Sequence, residues 1–260
     1  MSRFENLEFG DAKPGPLKSG ADGTPVRSSG FFLEQAERLY LAGDFELALR
    51  NYSRALEQNP AEYEGWFGQV RMLIELGEYE EALLWSDKAL ELYPEHPDLL
   101  ASKSVASTRI GDLEKAMAYT DNALSQRGAT AYVWLARAEA LLKRGSATAT
   151  HCVSNAVAAA GDAKPRVELE AGRTLLRAGH CGAALGYLRK AVSLLPGSPL
   201  AWLELGRCQA ALGFPETAMT LSQCLTLRPN WHPARAALDR FQRRGLLERV
   251  HSFLRRPRRG

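Results

Sequence analysis

The chain has 260 residues, with 33 lysines and arginines against 30 aspartates and glutamates, which gives a formal net charge of +3. It contains no apolar run of the length that a transmembrane helix needs, and its first residues, MSRFENLEFGDAKPGP, lack the apolar stretch of a secretory signal. Its 4 cysteines are widely spaced, with no C-x-x-C pair, so a disulfide framework is not expected. These features predict a cytoplasmic protein with reduced thiols.

The first 30 residues differ in composition from the rest of the chain. Residues 10–30 are rich in glycine, proline, serine and aspartate, and such a segment cannot bury enough apolar area to offset its ordering entropy. The sequence therefore predicts a flexible N-terminal tail, residues 1–30. Within it, RFENLEF at 3–9 carries large apolar side chains. This segment is either a short docking motif, for a partner or for the protein's own groove, or a disordered end with incidental aromatics.

A spacing of 34 residues runs through most of the chain. The stretch GDFELALRNYSRALEQNP, 43–60, returns as GEYEEALLWSDKALELYP at 77–94, with its glycine, alanines and closing proline in register. The same interval continues onward. The glycines in register are Gly43, Gly77, Gly111, Gly145, Gly179 and Gly213. A fixed period of this length indicates a repeat architecture.

Each repeat is predicted to contain two helices. Before each glycine lies a run with apolar residues three and four positions apart, as in WLELGRCQAALG at 202–213. Glycine ends this first helix because it can adopt a positive φ, and a second amphipathic run then leads to the closing proline. The fourth repeat lacks this proline, and the fifth has Glu168 at the position of the large residue.

The pattern resembles the tetratricopeptide repeat, whose motif is a large residue, Leu-Gly or a small equivalent, then alanines, an aromatic and a proline. WLELGRCQAALG is similar to its first helix, and DFELALRNYSRALEQNP is similar to its second. The resemblance implies an all-α fold, a right-handed α-solenoid of about six helix-turn-helix repeats across residues 31–230. Residues 231–260 are expected to form a degenerate capping unit, a capping helix followed by an arginine-rich tail.

In this family, the first helices of successive repeats line a concave groove that holds a peptide or a partner's helix. Carried over position by position, apolar residues and arginines fall on one face of these helices. The expected groove residues are Phe67, Arg71, Ile74, Leu135, Glu139, Leu142, Leu169, Arg173, Leu176, Arg177, Leu203 and Arg207. The alternative is that some of these leucines only pack against neighbouring helices.

The resemblance implies a protein partner. Some members clamp a C-terminal carboxylate with lysine and asparagine, but this chain has leucine or phenylalanine in place of that lysine, so such a clamp is not expected. An apolar strip with arginines suits an amphipathic or acidic–apolar segment, because arginine can bind carboxylates through two parallel hydrogen bonds.

The C-terminal end combines an apolar stripe with positive charge. Residues 233–260 contain 9 arginines against 2 acidic residues, a net charge of +7. The arginines of the expected basic tail are Arg249, Arg255, Arg256, Arg258 and Arg259. This end either caps the solenoid and leaves a solvated tail, or makes a weak contact with a polyanion, either nucleic acid or an anionic membrane.

Charge is unevenly distributed along the chain. Residues 31–98 hold 15 acidic against 5 basic residues, a net of −10, whereas residues 99–260 hold 24 basic against 11 acidic, a net of +13. Either the sign of the net charge varies along the solvated helix faces without a function, or the two regions attract different partners over long range.

Catalytic and metal-binding patterns are not evident. Two adjacent His-Cys pairs, at 151–152 and 180–181, do not complete the four-ligand set that zinc prefers, and neighbouring residues of a helix point in different directions. The sequence shows no nucleophile with an orienting group and an oxyanion pocket. It also shows no glycine-rich phosphate-binding loop after a strand. The sequence therefore predicts no enzyme, no cofactor and no metal. It predicts an interaction scaffold, adaptor or assembly factor, or alternatively a binder of nucleic acid or anionic membrane through the arginine-rich C-terminus.

Overall fold

The structure is a computed structural model that describes residues 28–126 and 128–254, with the helical backbone alone for 244–254. Within these ranges every regular element is a helix and no strand occurs, which confirms the predicted all-α class. The segment RFENLEF and four of the predicted tail arginines, Arg255, Arg256, Arg258 and Arg259, lie outside the described residues.

Two helices occupy each repeat, as the sequence predicts. In chain order the helices are α1 Ser29–Ala42, α2 Phe45–Gln58, α3 Tyr63–Leu76, α4 Tyr79–Leu92, α5 Pro97–Ile110, α6 Leu113–Ser125, α7 Ala131–Lys143, α8 Ala149–Ala158, α9 Lys164–Arg177, α10 Cys181–Leu194, α11 Pro199–Leu212, α12 Thr217–Leu227 and α13 His232–Leu254. The odd-numbered helices are the first helices of their repeats. A 3₁₀ turn, Gly161–Ala163, follows the short α8, where the closing proline is missing.

The glycines at the 34-residue spacing end the first helices. Gly77 shows why the position needs glycine, since its φ is 86°, in the left-handed region. Its N–H donates to the Ile74 carbonyl at 3.2 Å, and the next N–H, of Glu78, donates to the Leu73 carbonyl at 3.0 Å. These bonds satisfy carbonyls that the helix end would leave unpaired. All six glycines in register have positive φ.

The helices form two compact units, one ending at Ala156 and the other beginning at Val157, so the boundary lies inside α8. In the first unit, each helix from α1 to α6 packs against the next, and the first helices α1, α3 and α5 each also contact the first helix of the next repeat. In the second unit, α9 to α13 pack in the same consecutive way, and α11 contacts both α9 and α13. In both units the first helices therefore lie side by side.

Small residues allow the two helices of a repeat to approach closely. Ala48, Ala82 and Ala184, which share one repeat position, are completely buried. A Cβ atom on Gly206 would lie 2.4 Å from a methyl group of Leu221 on the partner helix. Small residues at these positions therefore let the paired helices approach closely.

The large aromatic of the motif is joined to the preceding proline. Trp66 Nε1 donates to the Pro60 carbonyl at 2.8 Å, and Trp202 Nε1 donates to the Pro196 carbonyl at 2.8 Å. These bonds connect the start of a first helix to the end of the repeat before it. The proline therefore stops one helix and its carbonyl also anchors the next.

Candidate binding site

Most of the apolar residues predicted for the groove are core residues. Leu135, Leu169 and Leu203 are at most 3% exposed, and Ile74 and Leu142 are buried as well. They pack against other helices of their own units, so a partner on the surface would not reach them. This placement corresponds to the alternative interpretation of the leucine column, and it restricts the candidate site to the remaining residues.

Arg71 on α3 is enclosed by aromatic rings. Its guanidinium carbon lies 5.5 Å from the ring centre of Tyr40, 5.4 Å from that of Phe67 and 5.0 Å from that of Tyr132. Such cation–π contacts are favourable, the more so when the cation is desolvated, and Arg71 is only 7% exposed. In the first unit this predicted groove arginine therefore already has internal contacts on several sides.

A buried carboxylate, Asp98, joins three neighbouring first helices. The Tyr63 hydroxyl of α3 donates to Asp98 Oδ2 at 3.3 Å, and the hydroxyl of Thr130, the N-cap of α7, donates to Oδ1. Burial raises the pKa of Asp98 above its ordinary 3.8, although Thr130, His96, Tyr63 and Arg71 each act to lower it. The sequence does not single out this cluster. The available signal was that later repeats do not carry an acidic residue at the position equivalent to Asp98.

Glu139, also predicted for the groove, is paired within the first unit. Arg109 Nε donates to Glu139 Oε1 at 2.8 Å, and both side chains are 14% exposed. A second nitrogen of Arg109 donates to the Ile74 carbonyl at 3.2 Å. Arg109 is not among the predicted residues, and it joins α3, α5 and α7. Glu139 is therefore part of a structural ion pair.

The second unit contains a network centred on Glu204 of α11. Arg207 Nη1 donates to Glu204 Oε1 at 3.3 Å, and Arg173 Nε on α9 lies 3.5 Å from the same oxygen. Glu204 and Arg173 are buried, whereas the Arg207 side chain is 44% exposed. Arg173 and Arg207 thus both approach one buried carboxylate, which the sequence does not single out.

A cavity of about 730 Å³ opens beside this network, between α9, α11 and α13. It includes Leu176, Arg177 and Arg207 of the predicted residues. The further described residues around it are Glu204, Ala210, Ala211, His232, Pro233, Ala236, Ala237, Arg240 and Phe241. The contributions of α13 are missed by the groove prediction because the last helix was assigned a capping role. The available sequence signal was that α13 begins nearly one repeat length after α11, as a further first helix would.

The cavity combines apolar walls with positive charge. Of its described side chains, three are arginines and one is a glutamate, and that glutamate is already bonded to Arg207. Arg177 is exposed and contacts Thr174 at 3.4 Å. Arg240 is exposed and forms no ion pair with any side chain that the structure describes. The arrangement can therefore accept an anionic group next to apolar side chains.

Burial works against thiol reactivity at three of the four cysteines. Cys152, Cys208 and Cys224 are buried, and Cys181 is partly exposed. Burial raises the pKa of the Cys208 and Cys224 thiols to about 11, which is the opposite of thiol activation. Among the described residues, no group of three or more histidine, cysteine or acidic side chains is placed to hold a metal ion. No helix in the described ranges is long and apolar enough to cross a membrane.

The predicted basic tail is not tested by the structure. Arg249 lies within α13, in the part described by its backbone alone, and the other four tail arginines are outside the described residues. Contact of this tail with a polyanion stays a prediction.

Sequence comparison with protein families agrees with the repeat pattern. Tetratricopeptide repeat models match residues 33–97 and residues 165–208. These two stretches are therefore tetratricopeptide repeats. No curated protein matches its full sequence significantly.

Several solved structures are similar in fold to this chain. The protein TTC0263 of Thermus thermophilus is 22% identical with a TM-score of 0.54, over 72% of this chain and 100% of that one. Human IFIT1, solved as a dimer with m7Gppp-AAAA, is 18% identical with a TM-score of 0.57, over 78% and 51% of the two chains. A chain of the Cut9-Hcn1 hetero-tetramer of the APC/C is 14% identical with a TM-score of 0.53, and the match covers 82% of this chain and 43% of that one. The chain thus spans less than half of that protein's length, and these likenesses concern the fold alone.

Proposed function

We propose that this protein is a non-catalytic scaffold or adaptor that binds an acidic–apolar segment of a partner protein in the cavity of its second unit. The tetratricopeptide fold in general supports protein–protein interaction. The observation that carries the finer proposal is the cavity between α9, α11 and α13, where Arg177, Arg207 and Arg240 surround apolar walls.

The size and chemistry of the cavity favour such a ligand. Its volume of about 730 Å³ falls in the usual range of ligand sites, which combine apolar walls with a few polar groups. Apolar side chains of the segment would be removed from water against Leu176, Phe241 and the alanines. Arginines would bind its carboxylates through charge-assisted hydrogen bonds.

The first unit is a weaker candidate for the same role. Arg71 is enclosed by aromatic rings and Glu139 is bonded to Arg109. A partner that used either charge would first have to disrupt contacts that are already made. The second unit leaves Arg207 and Arg240 exposed.

Charge reversal in the cavity tests the proposal. A partner is first captured from the source cells with the immobilised protein, and its affinity for purified variants is then measured by calorimetry. The double variant Arg207→Glu and Arg240→Glu should bind at least about tenfold more weakly, because position 240 loses a charge-assisted contact and both new glutamates repel an acidic segment.

The matched control is the double variant Arg235→Glu and Arg243→Glu. Both arginines are exposed on α13 but lie outside the cavity, and the net charge changes equally. The control should bind as the native protein does. Equal weakening by both pairs would show a non-specific charge effect, and native affinity in the first variant would place binding elsewhere. Circular dichroism checks that both variants keep their helices.

A further inference from the structure

The three helices around the cavity present different charges to a ligand. α11 lies in the middle, since it contacts both α9 and α13. Arg177 stands on one flanking helix and Arg240 on the other, whereas the middle helix contributes Glu204, Arg207 and two alanines. A segment that crosses all three helices therefore meets positive charge at both sides.

Glu204 makes the middle of the cavity different from its sides. It is 7% exposed, and its Oε1 atom accepts a hydrogen bond from Arg207 and lies 3.5 Å from Arg173. The equivalent residue one repeat earlier, Glu170, instead pairs with Arg166 at 2.9 Å and does not line the cavity. The fixed carboxylate at 204 thus offsets the positive charge of Arg207, and the neighbouring Ala210 and Ala211 leave space for an apolar side chain.

We infer that the cavity recognises an extended segment with an acidic residue near each end and apolar residues between them, and that Glu204 excludes an acidic residue from the centre. The outer acidic residues bind Arg177 and Arg240, and the apolar residues lie over the alanines of α11. This inference rests on the proposed function, because it concerns the same cavity. It adds the order of the acidic and apolar residues in the ligand.

The helix spacing sets the separation of the two acidic residues. Neighbouring packed helices lie about 8–10 Å apart, so two such steps cover roughly 16–20 Å. An extended chain advances about 3.3 Å per residue, so the acidic residues should be about five positions apart. The middle residues then cross α11.

Two synthetic peptides of identical composition and charge test the inference. One, Glu-Val-Leu-Thr-Val-Glu, has its acidic residues at the ends, and the other, Val-Leu-Glu-Glu-Val-Thr, has them at the centre. Both carry blocked termini, so that no terminal charge takes part. The full-length protein should bind the first peptide at least about tenfold more tightly, because the second brings its carboxylates next to Glu204.

Substitution of Glu204 identifies the cause of this preference. Glu204→Gln should tighten binding of the centre-acid peptide and bring the affinity ratio close to one. Glu204→Asp retains the charge and should keep the preference, which separates the electrostatic role from any disturbance of folding. Glu170→Gln removes the equivalent carboxylate of the previous repeat and should leave the ratio unchanged.

The outcomes separate this inference from the proposed function. Equal binding of the two peptides, or a ratio that Glu204→Gln leaves unchanged, overturns the inference. If in those cases the Arg207→Glu and Arg240→Glu variant still loses the natural partner, the proposed function stands. Failure of both peptides to bind also overturns the inference. The proposed function falls only if that charge-reversed variant keeps its natural partner.

Discussion

Buried charged residues in this protein differ in how they are satisfied. Asp98 accepts hydrogen bonds from two hydroxyl groups, and Arg71 lies against three aromatic rings. Glu168 is completely buried, and neither of its carboxylate oxygens has a hydrogen-bond partner among the described residues. The amino group of the exposed Lys190 lies 3.8 Å from its Oε1 atom. Since Trp66 and Trp202 occupy the same repeat position, Glu168 replaces an apolar group.

Glu168→Leu should stabilise the protein. The substitution removes a buried carboxylate that has no hydrogen bond and places an apolar side chain where other repeats carry one. Replacement of buried ionic groups by apolar ones of similar volume is often neutral or stabilising by roughly 1–4 kcal/mol. Urea unfolding should show a higher midpoint. The control Glu80→Leu, at an exposed position of α4, should change stability by less than about 0.5 kcal/mol. A lower midpoint for Glu168→Leu would contradict this expectation.

Asp98→Asn should change how stability depends on pH. Folded Asp98 keeps its proton to a higher pH than the unfolded residue, whose ordinary pKa is 3.8. Its contribution to stability is therefore complete below that value and is lost as pH rises through the folded pKa. The free energy of unfolding of the variant, minus that of the native protein, should increase as pH rises from about 4.

Urea unfolding at several pH values measures this difference. Thr130→Val removes a hydrogen bond that lowers the pKa of Asp98, so it should make the loss of stability with pH larger than in the native protein. A difference between Asp98→Asn and native protein that stays constant with pH would refute the assignment.

At the scale of the helix pair, close packing depends on glycine as well as alanine. Gly172 and Gly206 share one repeat position, and a Cβ atom on either would lie within 2.6 Å of a leucine on the second helix, Leu188 or Leu221. Buried leucines have few alternative positions in a dense core. The first and second helices of these repeats could then approach each other only with glycine at this position.

Gly206→Ala should destabilise the second unit by about 1–3 kcal/mol, since the added methyl group overpacks the contact with Leu221. Gly186→Ala is the matched control. Gly186 lies inside α10 with no atom within 4 Å of the added Cβ, so this change should stabilise by roughly 0.5–1 kcal/mol through helix propensity. Thermal unfolding followed by circular dichroism measures both. The same sign for the two variants would show that packing does not decide the effect.

At the scale of the whole molecule, charge follows the sequence order. Residues 31–98 carry a net charge of −10 and residues 99–260 carry +13. The positive part includes the proposed cavity and the arginine-rich end. These two features differ in their expected salt dependence, because an enclosed ion pair is screened less than exposed arginines that bind a polyanion.

Removal of residues 255–260 tests the predicted polyanion contact. The full chain should bind heparin weakly at low ionic strength, and the affinity should fall steeply as salt is added. Truncation after Leu254 should abolish this binding while leaving the unfolding midpoint and the peptide affinity of the cavity nearly unchanged. A variant with lysine at each of the four removed arginines should retain binding. If the full chain fails to bind heparin at low salt, the contact does not exist.

Local sequence signals determined the helices of this protein. The 34-residue period, the glycines and the apolar spacing predicted the helix pairs and the positive-φ turns, and the described structure confirms them. These features could be predicted because a glycine turn and an amphipathic helix depend on residues that are close in sequence.

Tertiary structure alone decided which of the equivalent side chains are exposed. Arg71 and Arg207 occupy the same repeat position, yet Arg71 is buried and Arg207 is exposed. Around Arg71 the first helices α1 and α7 supply Tyr40 and Tyr132, whereas α13, the next first helix after that of Arg207, contributes alanines and Arg240 to an open cavity. The repeat motif does not specify these neighbours. Exposure therefore depends on side chains roughly one to two periods away in sequence, which only packing brings together.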